Sequence, residues 1–202
     1  MQNQGQCGSC WAFSGTCSNE GAHFLAAGKL IKLSEQQVVD CDSACEGCNG
    51  GFATSVFEYV ETNPQELIAD YPYRAVTGSC HADTAKGKVV VGTYVNAPSK
   101  DIPQLKASIA AGVTSVRVHA SADSFRQYTG GVYDDPNCGT ALNHAINAVG
   151  YGTTSDGKDY FIVRNSWGGD WGEEGYIRMS ADMPGDGPCG LLIGPSSRPT
   201  TN

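Results

Sequence analysis

Nine cysteines in a chain of 202 residues, at positions 7, 10, 17, 41, 45, 48, 80, 138 and 189, limit what this sequence can become more than any other feature. So dense a set without a Cys/His ladder belongs in an oxidising compartment, where disulfides persist. Nine is odd, so four bridges would leave one thiol, and a lone thiol in such a space is either a liability or the working group. Two pairs, Cys7 with Cys10 and Cys45 with Cys48, have the spacing of zinc and dithiol sites. Zinc ribbons separate such pairs by about 15–20 residues, whereas 34 residues lie between Cys10 and Cys45. A redox dithiol of the thioredoxin kind follows a strand, and six residues before Cys7 leave no room for one. No metal and no cofactor is expected.

The remaining composition narrows the partners. Thirteen Lys and Arg stand against 21 Asp and Glu, a formal charge of -8, so the chain repels polyphosphate and nucleic acid is excluded as a partner. No apolar run approaches the roughly 20 residues of a membrane helix, and the first residues carry neither a basic leader nor an apolar core of a signal. Twenty-six glycines and 9 prolines point to many shaped loops, the material of binding clefts.

Along the chain, CWAFSGTCSNEGAHFLAAG reads as a buried helix of about 18 residues, with apolar positions at mixed three-and-four spacing and Gly28 as its stop. Ser34 followed by Gln37 is a capping box opening a second helix, SEQQVVDC, and FATSVFEYVET reads as a third. From Val89 the runs VVVGTY, TSVRVHA, HAINAVGYG, YFIVRN and GYIRMS are strand-like, with one helix near DIPQLKASIAAG. PSSRPTTN at the end reads as a surface tail or a strap across a lobe. Helices first and strands afterwards give an α+β chain of two lobes, with the boundary near Asn96.

Residues 4–13, QGQCGSCWAF, carry a signature of a nucleophilic cysteine next to Trp. With LSEQQVVDC, CEGCNGGF, YPY, LNHAINAVGYG and NSWGGDWGEEGYIRM they follow one another in an order that resembles the papain-like cysteine proteases over nearly the whole chain. The resemblance implies a two-lobed papain-like fold. Residues 1–95 would form a helical lobe, residues 96–202 an antiparallel β-barrel-like lobe, and the active site would lie in the cleft between. It also implies a cysteine endopeptidase acting on polypeptides, with propeptide or cystatin-like inhibitors as partners. The chain would be a monomer without membrane attachment, made as a zymogen and kept in a lysosome or vacuole or secreted. Relatives are expected to carry roughly fifteen further mature residues before the glutamine that corresponds to Gln4, preceded by a prosegment and a signal.

The residues themselves support that chemistry, because acyl transfer by sulfur needs a thiolate, a base, an orienter for the base and donors for the oxyanion. Cys10 sits where a helix begins, and a helix N-terminus favours a thiolate. His144 lies 134 positions later at the head of a strand-like run and is the expected base and acid. Asn165, followed by Ser166 and Trp167, would hold the imidazole in one tautomer while Trp167 shields the bond. Gln4 resembles the family's oxyanion glutamine. His23, His81 and His119 have no comparable context and read as structural or surface residues.

The resemblance further assigns substrate binding to Gly50, Gly51, Phe52, Ala53, Arg117, Asn143, Ala145, Trp167, Trp171 and Gly194. Gly50 and Gly51 would let a peptide backbone approach, though both could be simple turn residues. Arg117 stands where a small or apolar residue is usual. Its guanidinium either favours acidic or polar substrate side chains or extends to solvent, and the sequence leaves both open. The disulfides implied are Cys7–Cys48, Cys41–Cys80 and Cys138–Cys189, with a fourth proposed between Cys17 and Cys45. The rival functions are a catalytically silent homologue that binds peptides or inhibitors, and a dithiol oxidoreductase. Gln4, Cys10, His144, Asn165 and Trp167 together argue against both.

Overall fold

The computed structural model describes residues 2–201, which fall into two compact units. One holds Gln4–Val95 together with the segment from Arg198, and the other holds the residues before Gln4 and Asn96–Ser197. The chain therefore passes from one unit to the other at three points, and both ends belong to the unit that the linear order would not give them. Hydrogen bonds account for this at each end: Gly168 N–H donates to the Gln2 carbonyl, and the Thr200 N–H donates to that of Thr93.

The helical unit is built on α1 (Cys10–Ala27), whose buried face extends around most of its first three turns. Gly28 ends it in the left-handed conformation, its N–H closing on the Phe24 carbonyl. α2 (Glu35–Cys41) begins on the expected cap, where the Ser34 hydroxyl accepts from the Gln37 N–H. α3 (Ala53–Thr62) crosses α1 where Gly15 meets Val56, a contact any side chain at 15 would obstruct. Trp11, Leu33, Val38, Val56 and Val60 form the core, and each such fully buried side chain contributes about 1.5–3 kcal/mol. Several polar groups that α1 buries are matched, since Asn19 Nδ2 and Thr16 share the Gln65 amide and Glu20 accepts from the Leu33 N–H and the Lys32 ammonium, while Asn19 Oδ1 is buried without a hydrogen-bond partner.

The other unit carries most of a seven-stranded sheet. Its strands are β1 (Tyr94–Ala97), β2 (Thr114–Val118), β3 (Val132–Tyr133), β4 (His144–Thr153), β5 (Asp159–Arg164), β6 (Tyr176–Ser180) and β7 (Ser196–Pro199). They lie in the order β1-β7-β2-β4-β5-β6-β3. The sheet is open, so the barrel-like lobe expected from the sequence is corrected to a sheet with two edges. It is also mixed, because β3 pairs with β6 in parallel while β2, β4, β5 and β6 pair antiparallel. Val116, Val118, Ile146, Ala148, Phe161, Val163, Ile177 and Met179 make one apolar face. α4 (Ile102–Ala111), capped by Asp101 on the Gln104 N–H, adds Leu105 and Ile109 to it. Ser115, Arg117, Ala145, Asn147 and Arg164 alternate onto the opposite face.

Two segments differ from the sequence reading. VVVGTY does not form one strand: Val89 and Val91 are buried in the helical core, Val89 bridges Gln65, and the strand starts only at Tyr94. The tail includes β7, which pairs with β2 through Ser197 and Ser115. α5 (Asp123–Arg126) is a single turn that no periodicity announced.

Three disulfides join Cys7–Cys48, Cys41–Cys80 and Cys138–Cys189. Each contributes about 2–4 kcal/mol by restricting the unfolded chain. Cys17 and Cys45 are not bonded to each other, which corrects the proposed fourth bridge. Cys45 packs against Gly51 and Trp11, where burial raises its thiol pKa while Ser55 and the Phe52 backbone hydrogen-bond to it. Cys17 is buried on α1. The odd count therefore leaves three thiols rather than one.

Candidate active site

Within the helical unit, Cys10 is the first residue of α1 and is half-buried. Ser9 stands at the helix N-cap, yet its side chain caps no N–H, and the first turn holds no acidic residue. Its hydroxyl instead lies 2.6 Å from the Tyr73 phenol oxygen. Since the Tyr73 O–H donates to the Gln4 carbonyl at 2.8 Å, the Ser9 hydroxyl is the donor of that pair. The usual neutraliser of a helix start is thus turned away, and the positive end of the dipole is left to act on position 10.

Gln4 is buried, and its amide Nε2 donates to the Cys7 carbonyl at 2.9 Å. The Cys7–Cys48 bridge and the bond from Gly8 N–H to the Cys48 carbonyl fix the turn that carries Gln4 and Cys10. Ser9 and Tyr73 both lie in motifs quoted from the sequence, yet neither was given a role, because nothing local shows a bond between residues 64 positions apart.

Gly50, Gly51, Phe52 and Ala53 lead into α3 in the same unit. Gly50 has a φ of 128° with open space where a side chain would be, so its backbone face can be approached. Gly51 is required for a different reason: a side chain there would strike the Cys45 sulfur and the Trp11 ring. Phe52 is 56% exposed and Ala53 is buried.

In the sheet unit, His144 opens β4 opposite Val118 of β2, on the apolar face. Asn165 follows β5, and its Oδ1 lies 2.8 Å from His144 Nε2. The same Oδ1 accepts from the Ser166 N–H at 2.8 Å. A backbone N–H can only donate, so the amide atom facing it must be oxygen, and Nε2 must then carry a proton. The neutral ring consequently has its basic lone pair on Nδ1. Asn165 Nδ2 is buried with no hydrogen-bond partner, a position that costs about 1–3 kcal/mol and marks an amide held for its oxygen.

Continuing the β4–β5 register from Asn147↔Arg164 sets Trp167 opposite His144. The two rings stack, centroids 4.8 Å apart at 26°. Trp167 is itself held edge-on by Phe125 of α5 and by Trp171, whose indole N–H donates to the Arg126 carbonyl. Burial pushes the His144 imidazole down to about 4, against a smaller upward pull from Asn165. A charged ring in this pocket therefore needs an anion beside it.

Ala145 and Arg117 are register partners on the opposite sheet face, and the Arg117 guanidinium rests over Gly194. Asn143 is exposed at the strand head, its side chain engaged by the Ala120 N–H and the Ser121 hydroxyl. Cys10, Gln4 and Gly50–Ala53 thus share one unit. His144, Asn165, Trp167, Trp171, Asn143, Ala145, Arg117 and Gly194 share the other. Among the described residues no group of three or more His, Cys, Asp or Glu side chains could hold a metal ion, and no helix is long and apolar enough to cross a membrane.

Comparison with known proteins gives one consistent neighbourhood. The profile described as papain family cysteine protease matches residues 1–197. Cysteine proteinase RD21A of Arabidopsis thaliana is 44% identical over 97% of this chain, which spans 43% of that protein. Cathepsin L of Sarcophaga peregrina is 42% identical over 99% of this chain and 60% of its own length. The chain thus spans about half the length of the curated relatives it matches. Bromelain protease from Ananas comosus, solved in complex with the E64 inhibitor, superposes with a TM-score of 0.95 at 39% identity, covering 100% of this chain and 93% of that one. The ragweed allergen Amb a 11 in its proform superposes equally, with a TM-score of 0.95 at 36% identity, over 100% of this chain and 55% of that one.

Proposed function

Because the chain belongs to the papain family of cysteine proteases, we propose that it is the catalytic portion of a cysteine endopeptidase that cuts peptide bonds through a thioester on Cys10. The observation that carries this reading is the buried His144–Asn165 bond under Trp167, which fixes Nε2–H on the amide and leaves Nδ1 for the working proton.

In the proposed cycle the Cys10 thiolate attacks the peptide carbonyl carbon. A Gln4 side-chain N–H and the Cys10 backbone N–H take the negative charge that develops on oxygen. His144 gives its Nδ1 proton to the leaving nitrogen as the C–N bond breaks, and the acyl group remains on sulfur. Neutral Nδ1 then takes a proton from water, whose oxygen attacks the thioester and releases the acid. Cys10 returns as thiolate and His144 as imidazolium. Asn165 keeps the other ring proton throughout. The low intrinsic basicity that burial gives His144 makes the thiolate its necessary counter-ion, and the helix start makes that thiolate accessible.

Polypeptides are the proposed substrates, lying extended with Gly50 and Gly51 against their backbone and the exposed Phe52 against a side chain. Subsite contacts are proposed for Ala53, Arg117, Asn143, Ala145, Trp167, Trp171 and Gly194. A propeptide or a cystatin-like protein would cover the same residues as inhibitor, consistent with a relative solved in its proform. A monomer in a lysosome, vacuole or secreted fluid suits three disulfides, which persist under oxidising conditions.

The test is hydrolysis of a small peptidyl amide under mild reductant, with and without E64, followed by peptide mapping of the inhibitor. Turnover that E64 abolishes, with one equivalent on Cys10, is expected. A folded chain with no turnover, or labelling of Cys17 or Cys45 instead, would contradict the proposal and favour a silent peptide binder.

A further inference from the structure

We propose that Arg117 is a specificity residue that selects an acidic substrate side chain close to the scissile bond. The inference rests on the protease reading above and gives it a substrate class.

Three features of the sheet unit carry it. First, the β2–β4 register puts Val118 opposite His144 and Arg117 opposite Ala145, so the guanidinium belongs to the strand pair that carries the proposed base, one residue along from it. Side chains alternate across a sheet, and Arg117 therefore projects on the face away from the apolar core, with Ala145 beside it presenting only a methyl group. Second, the guanidinium lies over the bare Cα of Gly194: a Cβ there would come within 2.7 Å of Arg117 Nη2. Glycine at 194 is thus the residue that admits the cation, and the φ of Gly194 makes no demand for glycine on its own account. Third, the loop bearing Gly194 is tied down. Cys189 in that loop is bridged to Cys138, its carbonyl accepts from the His119 N–H two residues after Arg117, and Leu192 and Ile193 N–H groups close on Asp186 and Gly190.

A half-buried guanidinium set between a fixed loop and a strand loses little freedom when it binds a carboxylate, and its planar fork suits two oxygens. A cation that merely extended into solvent would not need the bare Cα beneath it.

The measurement is kcat/KM for pairs of otherwise identical peptides carrying Glu or its isostere Gln at each position within three residues of the cleaved bond. At one such position the wild-type chain is expected to favour Glu by about tenfold or more at low salt, with the ratio falling as ionic strength rises. Arg117→Gln should bring the ratio near one, Arg117→Glu should invert it in favour of Gln over Glu, and Gly194→Ala, which displaces the guanidinium, should reduce it. Cleavage of Gln and Glu peptides with equal efficiency by the wild-type chain at every position would overturn the inference and leave the protease reading standing. Failure to cleave any peptide would overturn both.

Discussion

The two halves of the proposed site are prepared in opposite ways. Around His144 the sheet unit removes water: the ring is buried, stacked on Trp167 and bonded to an amide oxygen, and the result is an imidazole that resists protonation. Around Cys10 the helical unit leaves a charge uncompensated, because Ser9 spends its hydroxyl on Tyr73 rather than on the helix start. One half disfavours a cation and the other favours an anion. The contrast teaches that the proposed thiolate and imidazolium draw on different features of the fold, an uncapped helix start in one unit and a buried amide bond in the other.

Removing the anion should show this most strongly. Cys10→Ala is expected to lower kcat/KM on a peptidyl amide by at least roughly 10⁴-fold. In the same variant His144 should stay neutral until the pH falls to about 4, read from its ring proton shifts. Its folded-state pKa lies below the unfolded value near 6.5, so the variant's stability should be full above that value and decline as the pH falls towards 4. A His144 that still titrates near 6.5 in Cys10→Ala would remove the burial half of the contrast.

Gln4→Ala, which deletes an oxyanion donor, should cost about 100- to 1,000-fold in kcat with KM little altered. Asn165→Ala should cost less, roughly 10- to 150-fold, the equivalent of about 1.5–3 kcal/mol in a hydrogen bond to a group that becomes charged. Its rate should also become more pH-dependent as the ring loses its single tautomer. The smallest effect is expected from Tyr73→Phe, about fivefold. The freed Ser9 hydroxyl can then cap α1, and Cys10 alkylation at pH 6 should slow accordingly. An unchanged alkylation rate would show that the diverted cap has no influence on the thiol.

What the sequence disclosed followed how local each signal was. The start of α1, the Ser34 cap and the Gly28 stop are written within a few residues and stand where they were expected, whereas the Gln37 side chain bonds Tyr59, Pro64 and Glu66 instead of closing the box on the Ser34 N–H. The open edges of the sheet, the parallel β3–β6 pair and the strand role of Ser196–Pro199 depend on partners far along the chain. Counting cysteines gave the wrong number of thiols, since parity carries no information about which sulfurs can meet. Gly51 shows the same limit in the site itself: its glycine character was visible, but its inward reason, the Trp11 ring and the Cys45 sulfur, was not.

The proposed sharing of a proton by residues 10 and 144 is tested most directly by the pH dependence of Cys10 alkylation with iodoacetamide, followed by mass spectrometry in the unaltered chain and in His144→Ala. The account predicts rapid alkylation extending well below pH 7 in the unaltered chain, and in the variant an inflection that returns towards the ordinary thiol value near 8.5. Superimposable profiles for the two proteins would contradict it.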